Sequence, residues 1–426
     1  MKSGHTPGVT IEETPPRRAT TAWVVYDLAN TIFALGVVGL YFPEWLTTSG
    51  LPDSSLAVTA AAAGLVVIFA APWVGAVTDV RGGRVRILTI STLVAVAATS
   101  LLTRGSDVTT FLALGLALVA VNIGSVVYDA LLPFVSTKEN RGRVSGNGVG
   151  VGYVGSFIGV GIGVLALEVL EVGYATTFTM LAAGFLLFAI PAFRYISEPA
   201  PDSSDRRAPA ITSVVGDLVR SWRRAAQWPN VIRFLIGRFL YTDAINTLIG
   251  GFLTIYAIQE IGLEPSGSRT LLALAIAFAI LGGIGGGRAV ERFGSKRVLQ
   301  WALAGWVGAI LTGVAAAVTG LVALAWLIGA VGGTALGATW ASDRVTMLEV
   351  SPPQHLGEFY GLYATVGRFA TILGPLVWAL IVDVLDFGRS AAMLVLAGSI
   401  LAGWFTIRRV EVGPAVSPRS REERPT

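Results

Sequence analysis

Two copies of one short pattern hold the polar groups best placed to do chemistry in this sequence. Asp27, Asn30 and Thr31 form D-x-x-N-T, and Asp243, Asn246 and Thr247 form it again. Tyr26 and Tyr241 lie just upstream, and a basic residue, Arg17 or Arg233, stands ten residues before each aspartate. Residues three apart share one helix face, so each copy presents a carboxylate and an amide together. Carboxylates accept charge-assisted hydrogen bonds from an ammonium group, and amides both donate and accept. That set suits a cation or a zwitterion. The structural alternative is that the same groups cap or cross-link helices. Arg238 and Arg368 are the other candidates inside apolar stretches. Arg238 either snorkels to an interface or binds a ligand. Arg368 either takes a ligand carboxylate or pairs with an acid of the protein.

The rest of the composition says what surrounds these groups. Of 426 residues, 53% are hydrophobic and only 14% charged, and the mean hydropathy is +0.68. A soluble domain carries about 25% charged residues, so the solvent for most of this chain must be lipid. The chain has no cysteine, which removes disulfides, thiolate metal sites and thiol catalysis. Its two histidines, His5 and His355, lie in polar segments, leaving a zinc site or a Ser-His-Asp triad little to work with. No nucleophile–base or metal constellation marks an enzyme, and no cofactor is expected. GGIGGG (282–287) lacks the G-K-[ST] ending of a phosphate loop. With no histidine in an apolar run, proton coupling would fall to carboxylates.

A membrane helix needs about 20 mostly apolar residues. Twelve stretches meet this, at 22–46, 56–78, 87–102, 109–132, 144–167, 176–195, 231–258, 270–290, 298–318, 321–341, 359–382 and 390–407. The first lacks a small-residue cleavage site and reads as an uncleaved span. Basic residues set orientation. With the N-terminus inside, only Arg104, Arg269 and Arg389 of the 31 basic residues fall in outer loops. The outer ends carry Glu44, Asp53, Asp107, Glu168, Glu171, Glu260, Glu264, Asp383 and Asp386 instead. Both termini are therefore expected to be cytoplasmic, in the plasma membrane. The net charge of +4 marks topology and not a nucleic-acid partner.

The chain divides into an N-terminal tail (1–21), a six-helix bundle (22–196), a linker (197–230), a second bundle (231–408) and a C-terminal tail (409–426). Within the linker, Arg220, Arg223 and Arg224 with Trp222 and Trp228 form a basic amphipathic helix suited to a lipid surface. Three pieces of the first bundle recur in the second. The D-x-x-N-T motif recurs at an offset of 243 − 27 = 216. Gly75, Asp79, Gly82 and Arg84 match Gly287, Glu291, Gly294 and Lys296 at 287 − 75 = 212. Gly142, Gly146, Gly152 and Gly159 match Gly357, Gly361, Gly367 and Gly374 at 357 − 142 = 215. Three matches in order indicate a duplicated six-helix unit, hence an all-α integral membrane protein of twelve transmembrane helices in two pseudo-symmetric bundles. The fifth span is rich in glycine, with Gly155, Gly159 and Gly163 at four-residue spacing, which allows close helix packing.

The loops GAVTDVRGGRVR and GRAVERFGSKR resemble the signature loop of the major facilitator superfamily in both halves. More narrowly, AWVVYDLANTIF, RGRVSGNGVGVGYVG, RFLYTDAINT and ASDRVTMLEVSPPQHLGEFYGLYATVGRFATILGP resemble the vacuole effluxer-like ("unknown major facilitator") family over the whole chain. Asp343 stands where a small hydroxylated residue is expected before Arg344. The resemblance implies a carrier whose first and seventh helices face a central cavity. It would bring Tyr26, Asp27, Asn30, Tyr241, Asp243 and Asn246 towards one place, with Arg238 and Arg368 as further binding residues. It also implies that the second helix packs on the eleventh and the fifth on the eighth. A cytoplasmic gate would then comprise Asp79, Arg84, Asp129, Arg143, Glu291, Arg344 and Glu358, with Glu291 near Arg141 or Arg143. The implied activity is secondary transport of a small organic solute by alternating access, amino-acid-like and outward, with a coupling proton or cation. A monomer in contact with membrane lipids is expected. The rival readings are a carrier of lipid-like amphiphiles and a transport-inactive sensor or scaffold.

Overall fold

A computed structural model describes residues 16–137, 140–198, 211–352 and 356–412. Every regular element among them is helical. The solvent dictates this, because hydrocarbon offers the backbone no hydrogen-bond partners and a spanning segment must satisfy itself. Helix α1 is Arg17–Thr48. Helices α2 to α6 are Asp53–Arg81, Arg84–Ser100, Asp107–Ala130, Arg141–Val164 and Tyr174–Tyr195. A linker helix covers Ile211–Ala225. Then come α7 (Pro229–Thr247), α8 (Pro265–Phe293), α9 (Ser295–Thr319), α10 (Ala323–Val350), α11 (Leu356–Phe369) and α12 (Arg389–Arg408).

Among the described residues, ten helices are long and apolar enough to cross a membrane. The stretches expected at 87–102 and 231–258 are helical as well, without meeting that measure. Helix α3 has 17 residues. Helix α7 carries Arg233, Arg238 and Asp243 and breaks at Gly250 and Gly251 before continuing as Leu253–Gln259. Gly251 has φ +114°, and a Cβ there would strike Pro43 of α1. Only glycine suits both the left-handed backbone and the close approach. Helix α11 also breaks after Phe369 and resumes as Leu373–Ala379.

The packing partners follow a rule. Helix α1 lies on α5 and α6, α2 on α4, and α3 on α4 and α6. Helix α7 lies on α11 and α12, α8 on α10, and α9 on α10 and α12. Adding six to each number in the first set yields the second. The rule extends to contacts between the sets, since α2 meets the continuation of α11 and α5 meets α8, as the resemblance implied. Widened helical turns at Leu165–Val169 and Leu380–Val384 recur at a similar offset, 380 − 165 = 215.

Small residues set how close the helices come. A Cβ on Gly155 would strike the backbone of Leu28 on α1, so the glycine-rich face of α5 is the α1 contact. Gly282 and Gly337 play the same part between α8 and α10, where added methyls would strike Thr334 and Ala279. The GGIGGG run is thus a packing surface.

One end of the molecule carries the start of α1 and the end of α12, and is called the terminal end here. There Gly82 and Gly83, at φ +66° and +81°, make the turn from α2 to α3. Glu198, beyond α6, accepts hydrogen bonds from the backbone of Gly83, Arg84 and Val85 at 2.9, 3.0 and 2.9 Å, capping α3 where its free N–H groups need an acceptor. The linker helix touches α2 and α11, so it rests on protein as well as facing solvent or lipid through Arg220, Arg223 and Arg224, which are exposed.

The α1–α5 crossing supplies a direct test. Gly155→Val should lower stability by about 1–3 kcal/mol, the usual cost of overpacking, read as a fall in the thermal unfolding midpoint in detergent. Gly161→Val, where a Cβ meets open space, should leave that midpoint within error. Equal effects of the two would refute the close crossing.

Candidate functional site

The two D-x-x-N motifs have different surroundings. Asp27 on α1 is half-buried beside Gly152 of α5, whose added Cβ would lie 2.7 Å from its Oδ2. Asn30 donates to Ser125 of α4 at 3.5 Å. In the second half, Asp243 faces the backbone N–H groups of Ile372, Leu373 and Gly374, the start of the resumed α11. Asn246 donates to the carbonyl of Ala370 at 2.7 Å. Both residues lie against the backbone that the break in α11 leaves open, where a helix start inside a membrane needs partners. Asp243 Oδ1 is buried and has no hydrogen-bond partner. The hydrogen bond of Asn246 cross-links α7 to α11.

Asp27 instead belongs to a cluster drawn from both halves. Its charged neighbours are Asp129 at the end of α4 and Arg344 on α10. Arg368 of α11 lies 3.7 Å from Asp129, and Tyr153 of α5 faces Arg344 and Asp27. Asp129 is 69% exposed and Arg368 30%, so the cluster lines an open space. Asp129 and Arg344 are counterparts in the two halves, at 344 − 129 = 215, as are Tyr153 and Arg368, at 368 − 153 = 215. The cluster therefore straddles the relation between the halves. Asp27 sits about 15 Å along α1 from Arg17, and Arg368 about 18 Å along α11 from its first residue, at 1.5 Å per residue. Two acids and two arginines leave the cluster formally neutral. An intramembrane group of this kind is costly, and such groups typically line pathways for ions or polar solutes. An apolar cavity of about 70 Å³ adjoins it, walled by Leu35, Tyr153, Ser156, Leu248, Leu272 and Trp306 among others. Tyr153 belongs to both.

Arg238 does not reach an interface. It is buried and bonded through Nε to Asp343 Oδ2 at 3.1 Å, with its guanidinium over the ring of Tyr363 at 3.7 Å. Tyr241 and Tyr363 donate their hydroxyls to Asp343 at 2.6 and 2.9 Å. Asp343 departs from the expected small residue because it must neutralise Arg238, and the two tyrosines satisfy its remaining lone pairs. In the first half, Trp23, Tyr26 and Tyr128 form a buried group of their own. These three stack, Trp23 on Tyr128 at 4.5 Å and Tyr26 on Tyr128 at 5.1 Å. Tyr26 bonds to Thr92 at 2.7 Å. Tyr26, Tyr241 and Arg238 are core residues of the two halves.

Of the gate residues, Asp129 and Arg344 join Asp27 and Arg368 in the cluster. Arg84 lies over the ring of Phe134 at 5.3 Å. Glu291 is exposed. The side chains of Asp79, Arg141, Arg143 and Glu358 lie outside those described, and with them the proposed partners of Glu291. Tyr153 was missed by sequence reading. Its signal was its counterpart relation to Arg368, from inside a glycine-rich helix.

Breaking the Arg238 pair from one side leaves an uncompensated buried charge. Asp343→Leu should destabilise the protein by about 3–5 kcal/mol, and adding Arg238→Met should recover much of that loss. A thermal unfolding series in detergent would show this, and a double variant no better than Asp343→Leu would refute it.

The comparisons with known proteins agree with this architecture. The solved structure of the nucleoside transporter NupG superimposes with TM-score 0.68 at 14% identity, covering 92% of this chain and 98% of that one. An inward-facing, occupied bacterial homologue of the human lysosomal transporter Spinster gives TM-score 0.62 at 15% identity, covering 92% and 96%. Among sequences, the uncharacterized MFS-type transporter YxiO of Bacillus subtilis is 26% identical over 381 residues, 84% of this chain and 87% of that protein. Autophagy-related protein 22-1 of Penicillium rubens is 26% identical over 288 residues, 57% of this chain and 44% of that longer protein. YxiO and the two structural neighbours are named as transporters. The family model described as "Vacuole effluxer Atg22 like" matches residues 52–413. The chain is a multi-pass membrane protein of the major facilitator fold and belongs to the vacuole effluxer Atg22-like family.

Proposed function

We propose that this protein is a secondary transporter of a small zwitterionic, amino-acid-like solute, exporting it across the plasma membrane by alternating access. The observation that carries the reading is the neutral cluster of Asp27, Asp129, Arg344 and Arg368, drawn from both halves and adjoining an apolar cavity. Arginine pairs with a carboxylate in a fixed fork, and the aspartates accept from an ammonium. An apolar side chain would then extend past Tyr153 into the cavity. Binding by both halves at once is what couples a solute to their relative motion.

The reading takes the architecture as twelve spans in two six-helix bundles related by an axis along the membrane normal. The plus-six rule of helix packing supports it, as does the nearly constant offset between matched positions. The terminal end is then cytoplasmic, consistent with the basic residues concentrated there. Asp27 and Asp129 are the carboxylates proposed to carry a coupling proton.

Proteoliposomes with an imposed pH gradient and a panel of labelled amino acids, sugars and lysolipids test this. Uptake of a neutral amino acid is expected. Asp27→Asn and Arg368→Gln should each cut it roughly ten- to hundredfold, the worth of a hydrogen bond to a charged group, with the folded fraction unchanged. Wild-type uptake in both variants would reject the site, and uptake confined to lysolipids would favour the amphiphile carrier.

A further inference from the structure

At the end of the molecule opposite the termini, the charges that marked topology in the sequence are paired with one another. Arg269, near the start of α8, reaches across to the first half. Its Nε bonds to Glu44 Oε2 at 3.0 Å, its Nη2 to Glu44 Oε1, and its Nη1 to Glu168 Oε1 at 2.5 Å. Tyr174, the first residue of α6, donates to Glu44 Oε1 at 2.7 Å. Glu44 is fully buried and Arg269 is 9% exposed.

A second set sits on the other side. Asp53, the first residue of α2, reaches across to the second half. It accepts from Arg389 of α12 at 2.8 and 3.1 Å and from Trp378 Nε1 at 2.9 Å. Arg389 also pairs with Glu260 at 3.4 Å. The neighbouring backbone N–H of Ser54 donates to Asp383 at 2.5 Å.

The receptacles of the two sets correspond. Glu44 matches Glu260 at 260 − 44 = 216, Glu168 matches Asp383 at 383 − 168 = 215, and Tyr174 matches Arg389 at 389 − 174 = 215. The entering residues do not, since α2 and α8 match at 265 − 53 = 212 and Arg269 lies one turn further along its helix than Asp53. In each set, one residue at the start of α2 or α8 enters a receptacle built from the opposite half. The receptacle acids are retained, Glu44 and Glu168 matching Glu260 and Asp383. What has changed is the location of the single arginine. In one set it is the entering residue, received by two acids and Tyr174. In the other the entering residue is Asp53, and the arginine stands at the position of that tyrosine. The α1–α7 contact closes the space between the sets, where Thr254 donates to the Gly39 carbonyl at 2.7 Å.

We propose that these are two ion-pair clasps that hold the distal side of the transporter shut, and that both must open before the central cluster is reached from that side. The inference rests on the alternating-access reading for its consequence, but its test needs no transport. Each clasp bridges helices of opposite halves, which is what a gate on moving halves requires. Loss of one partner strands a buried charge and shifts the closed–open balance toward open.

The chain has no native cysteine, so a single reporter, Ser156→Cys in the cavity wall, can be labelled with a membrane-impermeant maleimide added from the distal face of oriented vesicles. In that background Arg269→Asp should raise the labelling rate by about tenfold or more, as expected from the 2–5 kcal/mol cost of truncating a buried charge pair. Adding Tyr174→Arg restores a cation against Glu44, which Tyr174 already contacts at 2.7 Å, and should return labelling toward the parent rate. Glu44→Gln, nearly unchanged in shape, provides a second variant and should also accelerate labelling. Unchanged labelling in folded Glu44→Gln and Arg269→Asp proteins, or no rescue by Tyr174→Arg, would overturn the clasps. Failure of the solute panel with intact clasp behaviour would instead remove the proposed cargo and leave the gate standing.

Discussion

The absence of water from the hydrocarbon core is the constraint from which the rest of this structure follows. A polar group there must be satisfied by protein or must line an open cavity. The buried ionisable groups obey one of these terms, with Asp243 Oδ1 the exception. Asp343 is saturated by Arg238, Tyr241 and Tyr363. Asn246 and one side of Asp243 hold the broken backbone of α11. Glu44 is enclosed by Arg269 and Tyr174. Asp27, Asp129, Arg344 and Arg368 follow the second term and come together where exposed side chains line a space beside a cavity. Those are the charges that a solute entering the space would meet.

The two sets of helices pack by one rule yet bury different side chains. The first half holds a stack of Trp23, Tyr26 and Tyr128, and the second half the network of Arg238, Tyr241 and Asp343. The stack avoids desolvating a charge, whereas the network needs every lone pair met to break even. In the distal clasps a single arginine is met by acids in each set, from α8 in one and from α12 in the other.

Much of this was legible without coordinates. Length, hydropathy and the placement of basic residues determine that the chain lives in a membrane, because transfer free energies are summed over local stretches and need no knowledge of neighbours. Recurrence of motifs at nearly constant offset was visible for a related reason, since register along one chain is a property of the sequence. The glycines of α5 announced a close crossing because only small residues permit one.

Partnership between distant side chains is different, because it depends on which helix faces touch. Asp27 and Asp243 look alike in sequence, yet one joins a charged cluster and the other caps a broken helix. Arg238 looked free to snorkel until Asp343, 105 residues away, was found against it. Arg269 and Arg389 served only as topology marks until Glu44 and Asp53 met them across the two halves. Local composition decided the solvent and the helices. Only tertiary packing, by setting which faces share a few ångströms, decided which charges are enclosed with a partner and which stand at the edge of an open space.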